Sequence, residues 1–377
     1  MSLHRREFIK AGLIGGASLF FPGPFLKTAW GRDQSDPHFF LQVFFQGGAD
    51  NSYLFDARPL EMTKAGKMQN YIGEEPSLWT GVNGQSTYAT KLTDPLKPFK
   101  NDFSILNGVL MAQQFDGHDQ NVNFYFTGNP FGGESFIPHF NLDKAYPVDA
   151  LQSGFLIAAL NNLGSTVPLD VESTKTLVGK LRAADAIDMK NPLTQFIASR
   201  MIENSKGAGR FSKGSKNMAD AFGQGPSFEE LVKNIQIDKD EKEFFPVIRE
   251  AFKKGLSQSA IISSFTGALD AHDPDNAKKQ PKTFEDIVTK IATLFKNLKE
   301  TPFDSKRSLF DVTTVMVASE FGRTMRQGNK AVDNTGTDHN VLSNSILIGG
   351  KGIRGGMVWE PQIIKKVMRF FLALIKL

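Results

Sequence analysis

The chain has six histidines and no cysteine, so thiol nucleophiles, disulfides, zinc fingers and iron–sulfur ligation are all excluded, and any metal ligand must come from His, Asp or Glu. Three of the histidines stand within two residues of an aspartate: His118-Asp119, Asp270-Ala271-His272 and Asp338-His339. Asp50 and Glu320 each follow an apolar run. Imidazole and carboxylate together are the ligand set expected for zinc, manganese or a related divalent ion. The plainer alternative is that each aspartate caps a loop or orients a histidine that packs structurally. The remaining histidines carry less chemistry: His4 lies near the amino terminus, and His38 and His139 follow Pro37 and Pro138 with no carboxylate cluster nearby.

Groups so far apart in sequence need elements that bring them to one place. Phe39 to Phe45 is a continuous apolar run closed by Gly47-Gly48-Ala49-Asp50, the pattern of a strand buried on both faces. Phe103 to Leu110, Val312 to Ala318 (just before Ser319-Glu320) and Ser345 to Ile348 (ending in Gly349-Gly350) read the same way. Buried strands separated by helical stretches predict an α/β sandwich with a mainly parallel sheet. In such open sheets ligands gather beyond the carboxyl ends of the strands, where Asp50 and Glu320 fall. The spacing of Phe284, Ile287, Val288, Ile291, Phe295 and Leu298 predicts a helix over 283–299, with Thr283 and Asp286 resembling a capping box. A second helix is expected over 191–207, an exposed Gly/Ser/Lys-rich loop over 206–225, and a final amphipathic helix or truncated end over 361–377.

With 377 residues, 40% hydrophobic and 22% charged, the chain has the profile of a packed soluble protein and needs no metal merely to fold. Arg5 and Arg6, an apolar stretch from Ala11 to Phe21 and a small-x-small site at Ala29-Trp30-Gly31 read as a targeting segment. The run Arg5-Arg6-Glu7-Phe8-Ile9-Lys10 looks like a twin-arginine export signal; the alternative is an amphipathic first helix. Its apolar part is too short to span a bilayer. Arg5, Arg6, Lys10 and Lys27 less Glu7 account for +3 of the formal +4, so the rest of the chain is near neutrality. No basic run interleaved with aromatics remains to suggest a nucleic-acid groove.

The motifs VFFQGGADN (Val43 to Asn51), GHDQNVNFYFTG (Gly117 to Gly128), ALDAHD (Ala268 to Asp273), VMVASEFGRT (Val315 to Thr324) and GTDHNVLSNSILIGGKGIRGG (Gly336 to Gly356) follow in order after the twin-arginine start. Together they resemble an uncharacterised, sulfatase-like family of exported bacterial proteins that is similar to the alkaline phosphatase superfamily. The resemblance implies a three-layer α/β sandwich as one domain over 32–377, with a helical insertion at about 186–260, and a periplasmic or secreted protein that uses the twin-arginine translocation machinery. It implies a metal held by Asp270, His272 and His339, and a partial second site from Asp50, Glu320 and either His118 or Asp338. His118 is left open between second-metal ligand, general base and oriented helix-start residue. Arg323 either holds an anionic ester or pairs with Glu320.

Two departures from the pattern shape the functional expectation. Phe321 stands where the superfamily's turn supplies a histidine, and Asp116-Gly117-His118 offers no hydroxyl or thiol at the nucleophile position. The implied activity is hydrolysis of a small phosphate or sulfate ester by a metal-activated water, whose pKa falls from 15.7 to about 7 on such an ion. The competing expectation is a non-catalytic envelope protein that keeps the fold and one structural metal.

Overall fold

The computed structural model describes residues 37–57, 74–111, 116–133, 135–137, 150–153, 166–168, 245–253, 257–265, 269–324 and 336–359. The expected signal segment at 1–31, the 191–207 helix, the 206–225 loop, most of the 186–260 insertion and the 361–377 tail lie outside these residues. Among the described residues no helix is long and apolar enough to cross a membrane.

The backbone of the fold is an eight-stranded sheet. In chain order its strands are β1 (Phe39–Gln46), β4 (Phe103–Val109), β5 (Ala150–Ser153), β6 (Thr166–Pro168), β7 (Ser259–Phe265), β8 (Thr313–Ser319), β11 (Asn344–Gly350) and β12 (Val358–Trp359). The spatial order is β12-β4-β11-β8-β1-β7-β5-β6. β1 pairs in parallel with β7 on one side and β8 on the other, and all eight of its residues are buried, which is why its sequence is apolar but for Gln42 and Gln46. β11 is antiparallel to both β4 and β8, and the other strands share one direction. This reversal brings the start of β11, not its end, to the edge where β1, β4, β7 and β8 finish. A short hairpin, β2 (Ser77–Thr80) and β3 (Ser86–Ala89), forms its own ladder, and Asn83 in its turn donates to the Val358 carbonyl of β12 at 2.7 Å.

Side chains alternate across β1 and so divide the core in two. Phe39, Leu41, Val43 and Phe45 join the larger cluster with α2 (Phe245–Lys253) and α3 (Pro274–Glu300), where Phe39 stacks on Phe252 with ring centroids 4.7 Å apart. Phe40 and Phe44 face the other way, onto Val122 and Phe126 of α1 (His118–Thr127). Gln42, also on that face, is buried but satisfied: it accepts from the Tyr125 hydroxyl at 2.9 Å and donates to the carbonyls of Val43 and Met316. Helix, sheet and helix form a three-layer α/β sandwich.

α3 begins nine residues before the expected start. Asp273 is its N-cap, accepting from the Asp275 N–H at 2.6 Å, and Pro274 opens the first turn. Thr283 therefore caps nothing; its hydroxyl donates to the Lys279 carbonyl one turn back. Pro281 suggests a boundary because it lacks an N–H, yet the helix runs through it, and the added turns support the loop before them. Gln280 donates to the Leu269 carbonyl at 3.3 Å and Asn276 to the Asp270 carbonyl at 3.5 Å.

Candidate metal centre

Four elements deliver side chains to the carboxyl edge of the sheet. His118 is the first residue of α1, which follows β4. Asp270 and His272 sit in the loop between β7 and α3, held by Gln280 and Asn276. Glu320 directly follows β8. His339 opens the two-residue strand β10 (His339–Asn340), which pairs antiparallel with β9 (Gly322–Arg323), so Arg323 and His339 lie opposite each other. The Thr337 N–H donates to the Ala271 carbonyl at 2.7 Å, fastening the His339 segment to the His272 loop.

The result is a group of His118, Asp270, His272 and His339 whose ligand atoms all lie within 4.8 Å of one another. His339 Nε2 is 2.9 Å from His272 Nε2 and 3.0 Å from His118 Nε2. Asp270 Oδ1 is 3.2 Å from His118 Nε2 and 3.3 Å from His272 Nε2. Donor atoms about 2.0–2.1 Å from a zinc ion at tetrahedral corners stand roughly 3.3–3.4 Å apart, close to this spacing.

The other ring nitrogens explain why a cation fits. His118 Nδ1 faces Glu320 Oε1 at 2.7 Å, His272 Nδ1 faces Asp338 Oδ1 at 3.4 Å, and His339 Nδ1 faces the carbonyl oxygen and Oδ1 of Asp116. Each Nδ1 thus faces an oxygen, the arrangement that orients metal-bound imidazoles. Three Nε2 atoms then converge beside a carboxylate. Without a metal, a proton on His118 Nε2 bonds Asp270 Oδ1 at 3.2 Å and leaves the Nε2 atoms of His272 and His339 facing each other at 2.9 Å. A divalent cation accepts all four donors.

An outer layer holds these ligands. Glu320 is fully buried; its Oε1 accepts from the Gly47 N–H at 2.7 Å as well as from His118, and its Oε2 accepts from the Ser319 hydroxyl at 2.8 Å. The Arg323 side chain, also fully buried, donates from Nη2 to Asp270 Oδ1 at 2.6 Å and from Nε to the Gly47 carbonyl at 3.1 Å. Gly47 and Gly48 have φ of +113° and +77°, and a Cβ on Gly48 would sit 2.4 Å from the Phe321 ring, so this turn serves backbone geometry. Phe321 packs its ring against His118 and His339, with centroids 4.9 and 4.4 Å away.

The charges shift one another. Burial disfavours the charged His118 ring, but the carboxylates of Asp270 and Glu320 outweigh it and raise its pKa to about 9 without a metal. Burial opposes ionisation of Asp270 as well, yet hydrogen bonds from His118 and Arg323 hold its carboxyl well below the usual range. Burial and the neighbouring His118, Arg323 and His272 charges lower the pKa of His339.

The structure thus brings Asp270, His272 and His339 together and adds His118 to the same point. Asp338 stands behind His272, and Glu320 behind His118. Asp50 is turned away from the group: its Oδ1 accepts from the N–H and hydroxyl of Ser52, and burial raises its pKa to about 6 against those bonds and the Arg323 charge. Arg323 differs from both expectations. Its guanidinium is spent on Asp270 and the Gly47 and Gly48 carbonyls, so it is neither bonded to Glu320 nor open to an ester. Asp116, the partner of His339, carried no sequence signal beyond standing two residues before His118.

Comparison with solved structures finds a magnesium-bound mutant of TAB5 alkaline phosphatase at 9% identity and TM-score 0.37, covering 89% of this chain and 97% of that one. The alkaline phosphatase of Thermus thermophilus aligns at 10% identity and TM-score 0.35, covering 92% of this chain and 94% of that one. No curated protein matches the sequence. Residues 255–360, which include Asp270, His272, Glu320, Arg323, Asp338 and His339, are similar to the family described as "Protein of unknown function (DUF1501)".

Proposed function

We propose that this protein is an exported, metal-dependent hydrolase of small phosphate or sulfate esters, working at a single divalent ion, with zinc or manganese the best matches to the donors. The observation that carries the reading is the convergence of three imidazole Nε2 atoms and one carboxylate oxygen, all within 4.8 Å of one another. Nε2 of His118, His272 and His339 and Oδ1 of Asp270 would hold the ion. A divalent ion in such a donor set supplies a Lewis acid and lowers the pKa of water toward neutrality.

The chain's own groups do the positioning. Glu320, Asp338 and the Asp116 carbonyl keep the three Nδ1 protons in place, so every Nε2 lone pair points inward. Arg323 offsets the Asp270 charge, which leaves the ion's own charge for an anionic ester. The side chains of His118, Asp270, His272 and His339 retain 17%, 34%, 37% and 11% exposure, so the centre is reached from solvent. Export through the twin-arginine machinery to the periplasm or exterior belongs to this reading and rests on the Arg5-Arg6 segment.

A second reading has its own support. Four protein donors fill a tetrahedron, as in structural metal sites, and no hydroxyl stands at the nucleophile position. A non-catalytic envelope protein with one structural metal would use the same atoms. Assay of the metal-loaded protein on aryl phosphate, phosphodiester and sulfate esters separates the two. The hydrolase reading expects turnover that disappears in His272→Ala; a metal-loaded protein inert on all three classes leaves the structural role.

A further inference from the structure

Beside the four ligands lie Glu320, Arg323 and Phe321, with Asp50 near enough to feel the Arg323 charge, and Asp50 and Glu320 are residues from which the resemblance implies a partial second site. The donors do not fit one. Both oxygens of Glu320 are committed, Oε1 to the Gly47 N–H and His118 Nδ1 and Oε2 to the Ser319 hydroxyl. Asp50 spends Oδ1 on Ser52, leaving one oxygen at most. The Phe321 ring is fully buried and packs flush on Gly48, in line with the imidazoles of His118 and His339.

A cation is nevertheless present there, and it is covalently part of the chain. The Arg323 guanidinium lies 5.8 Å from the Phe321 ring centroid and bonds Asp270 Oδ1 at 2.6 Å, while Nη1 lies 3.4 Å from His272 Nε2. Guanidinium stays charged at any pH the fold survives, and a buried charge needs a fixed partner, which Asp270 and the Gly47 and Gly48 carbonyls provide. We propose that the centre holds one divalent ion per chain and that Arg323, backed by Phe321, occupies the place of a second ion and supplies part of its charge. This rests on the metal-binding reading above and goes beyond it in fixing the stoichiometry and the role of Arg323.

The test is metal stoichiometry on the full chain. Protein stripped with chelator is titrated with zinc and, separately, with manganese, and bound metal is counted by elemental analysis after free ion is removed. The expected result is one equivalent of either ion, lost in His272→Ala. Two equivalents, or one equivalent that survives His272→Ala, would overturn the proposal while leaving metal binding intact. No uptake at all would instead overturn the metal reading itself. Arg323→Ala removes the fixed charge and releases the Asp270 oxygen it bonds, which with the spare Asp50 oxygen is expected to admit a second manganese ion at millimolar concentration. A folded Arg323→Ala protein that still stops at one ion contradicts the substitute role. Arg323→Lys keeps the charge and is expected to remain at one. If Arg323→Ala does not fold, the wild-type count with Arg323→Lys decides the matter, since a second ion bound by either contradicts the proposal.

Discussion

Two ends of the same sheet treat histidine in opposite ways. At the amino end, His38 is buried and its Nε2 lies 2.6 Å from the Thr314 hydroxyl, which in turn donates to the Lys351 carbonyl at 2.7 Å. Each donor in that chain meets an acceptor, and Lys351 closes the group by donating to the Pro37 carbonyl at 2.8 Å. At the carboxyl end, His118, His272 and His339 each turn Nδ1 to an oxygen, and their Nε2 atoms face one another around a single carboxylate oxygen of Asp270. Burial does not distinguish the two ends, since His38 is the more deeply buried. The difference is that one network pairs every donor with its own acceptor, while the other gathers three Nε2 atoms on one carboxylate oxygen, a place that a proton on His118 or a metal ion can fill.

That contrast can be broken most forcefully at the carboxyl end. If a four-donor site is worth about 10–16 kcal/mol in apparent binding, loss of one donor in His272→Ala should weaken zinc affinity by roughly 10²–10³-fold, enough for the ion to be lost when free metal is removed, read by chelator competition. Proton competition comes next. His118 titrates near 9 in the metal-free protein, and its Nε2 must be unprotonated to bind, so about one proton leaves per ion. Below that pKa, affinity should fall about tenfold for each pH unit lowered, or about a hundredfold between pH 8 and pH 6, with calorimetry in buffers of different ionisation enthalpy counting the proton. A flat profile would mean that His118 is not a ligand.

Glu320→Gln keeps the acceptor for Gly47 but removes the charge behind His118, and should weaken metal binding about 10–100-fold while the fold persists. The smallest effect on metal sharpens the comparison from the other side. His38→Ala removes one partner of the Thr314 hydroxyl, which keeps its bond to the Lys351 carbonyl, and should cost about 0.5–1.5 kcal/mol of stability in denaturant unfolding, with zinc affinity unchanged. Loss of metal affinity in that variant would show that the two ends of the sheet are not independent.

The strands that build the platform were legible because burial on both faces writes a continuous apolar run; β1, β4, β8 and β11 lie within two residues of their expected bounds. The start of α3 was not, because Pro281 reads as a boundary and the turns before it are held by tertiary bonds from Gln280 and Asn276 that no local pattern records. The aspartate and histidine pairs stood out by composition, in a chain with only six histidines. Their division of labour did not. Whether Glu320 faces an ion or the back of His118 depends on a contact across 202 residues. Arg323 faces Asp270 rather than Glu320 because β9 and β10 pair, and a two-residue ladder leaves almost no sequence trace.

X-ray absorption at the zinc edge of the metal-loaded protein addresses the donor set most directly. The account predicts a first shell of three nitrogens and one oxygen near 2.0 Å with the outer-shell scattering of three imidazole rings. A shell with fewer than three imidazoles, or a protein that takes up no zinc, would contradict it.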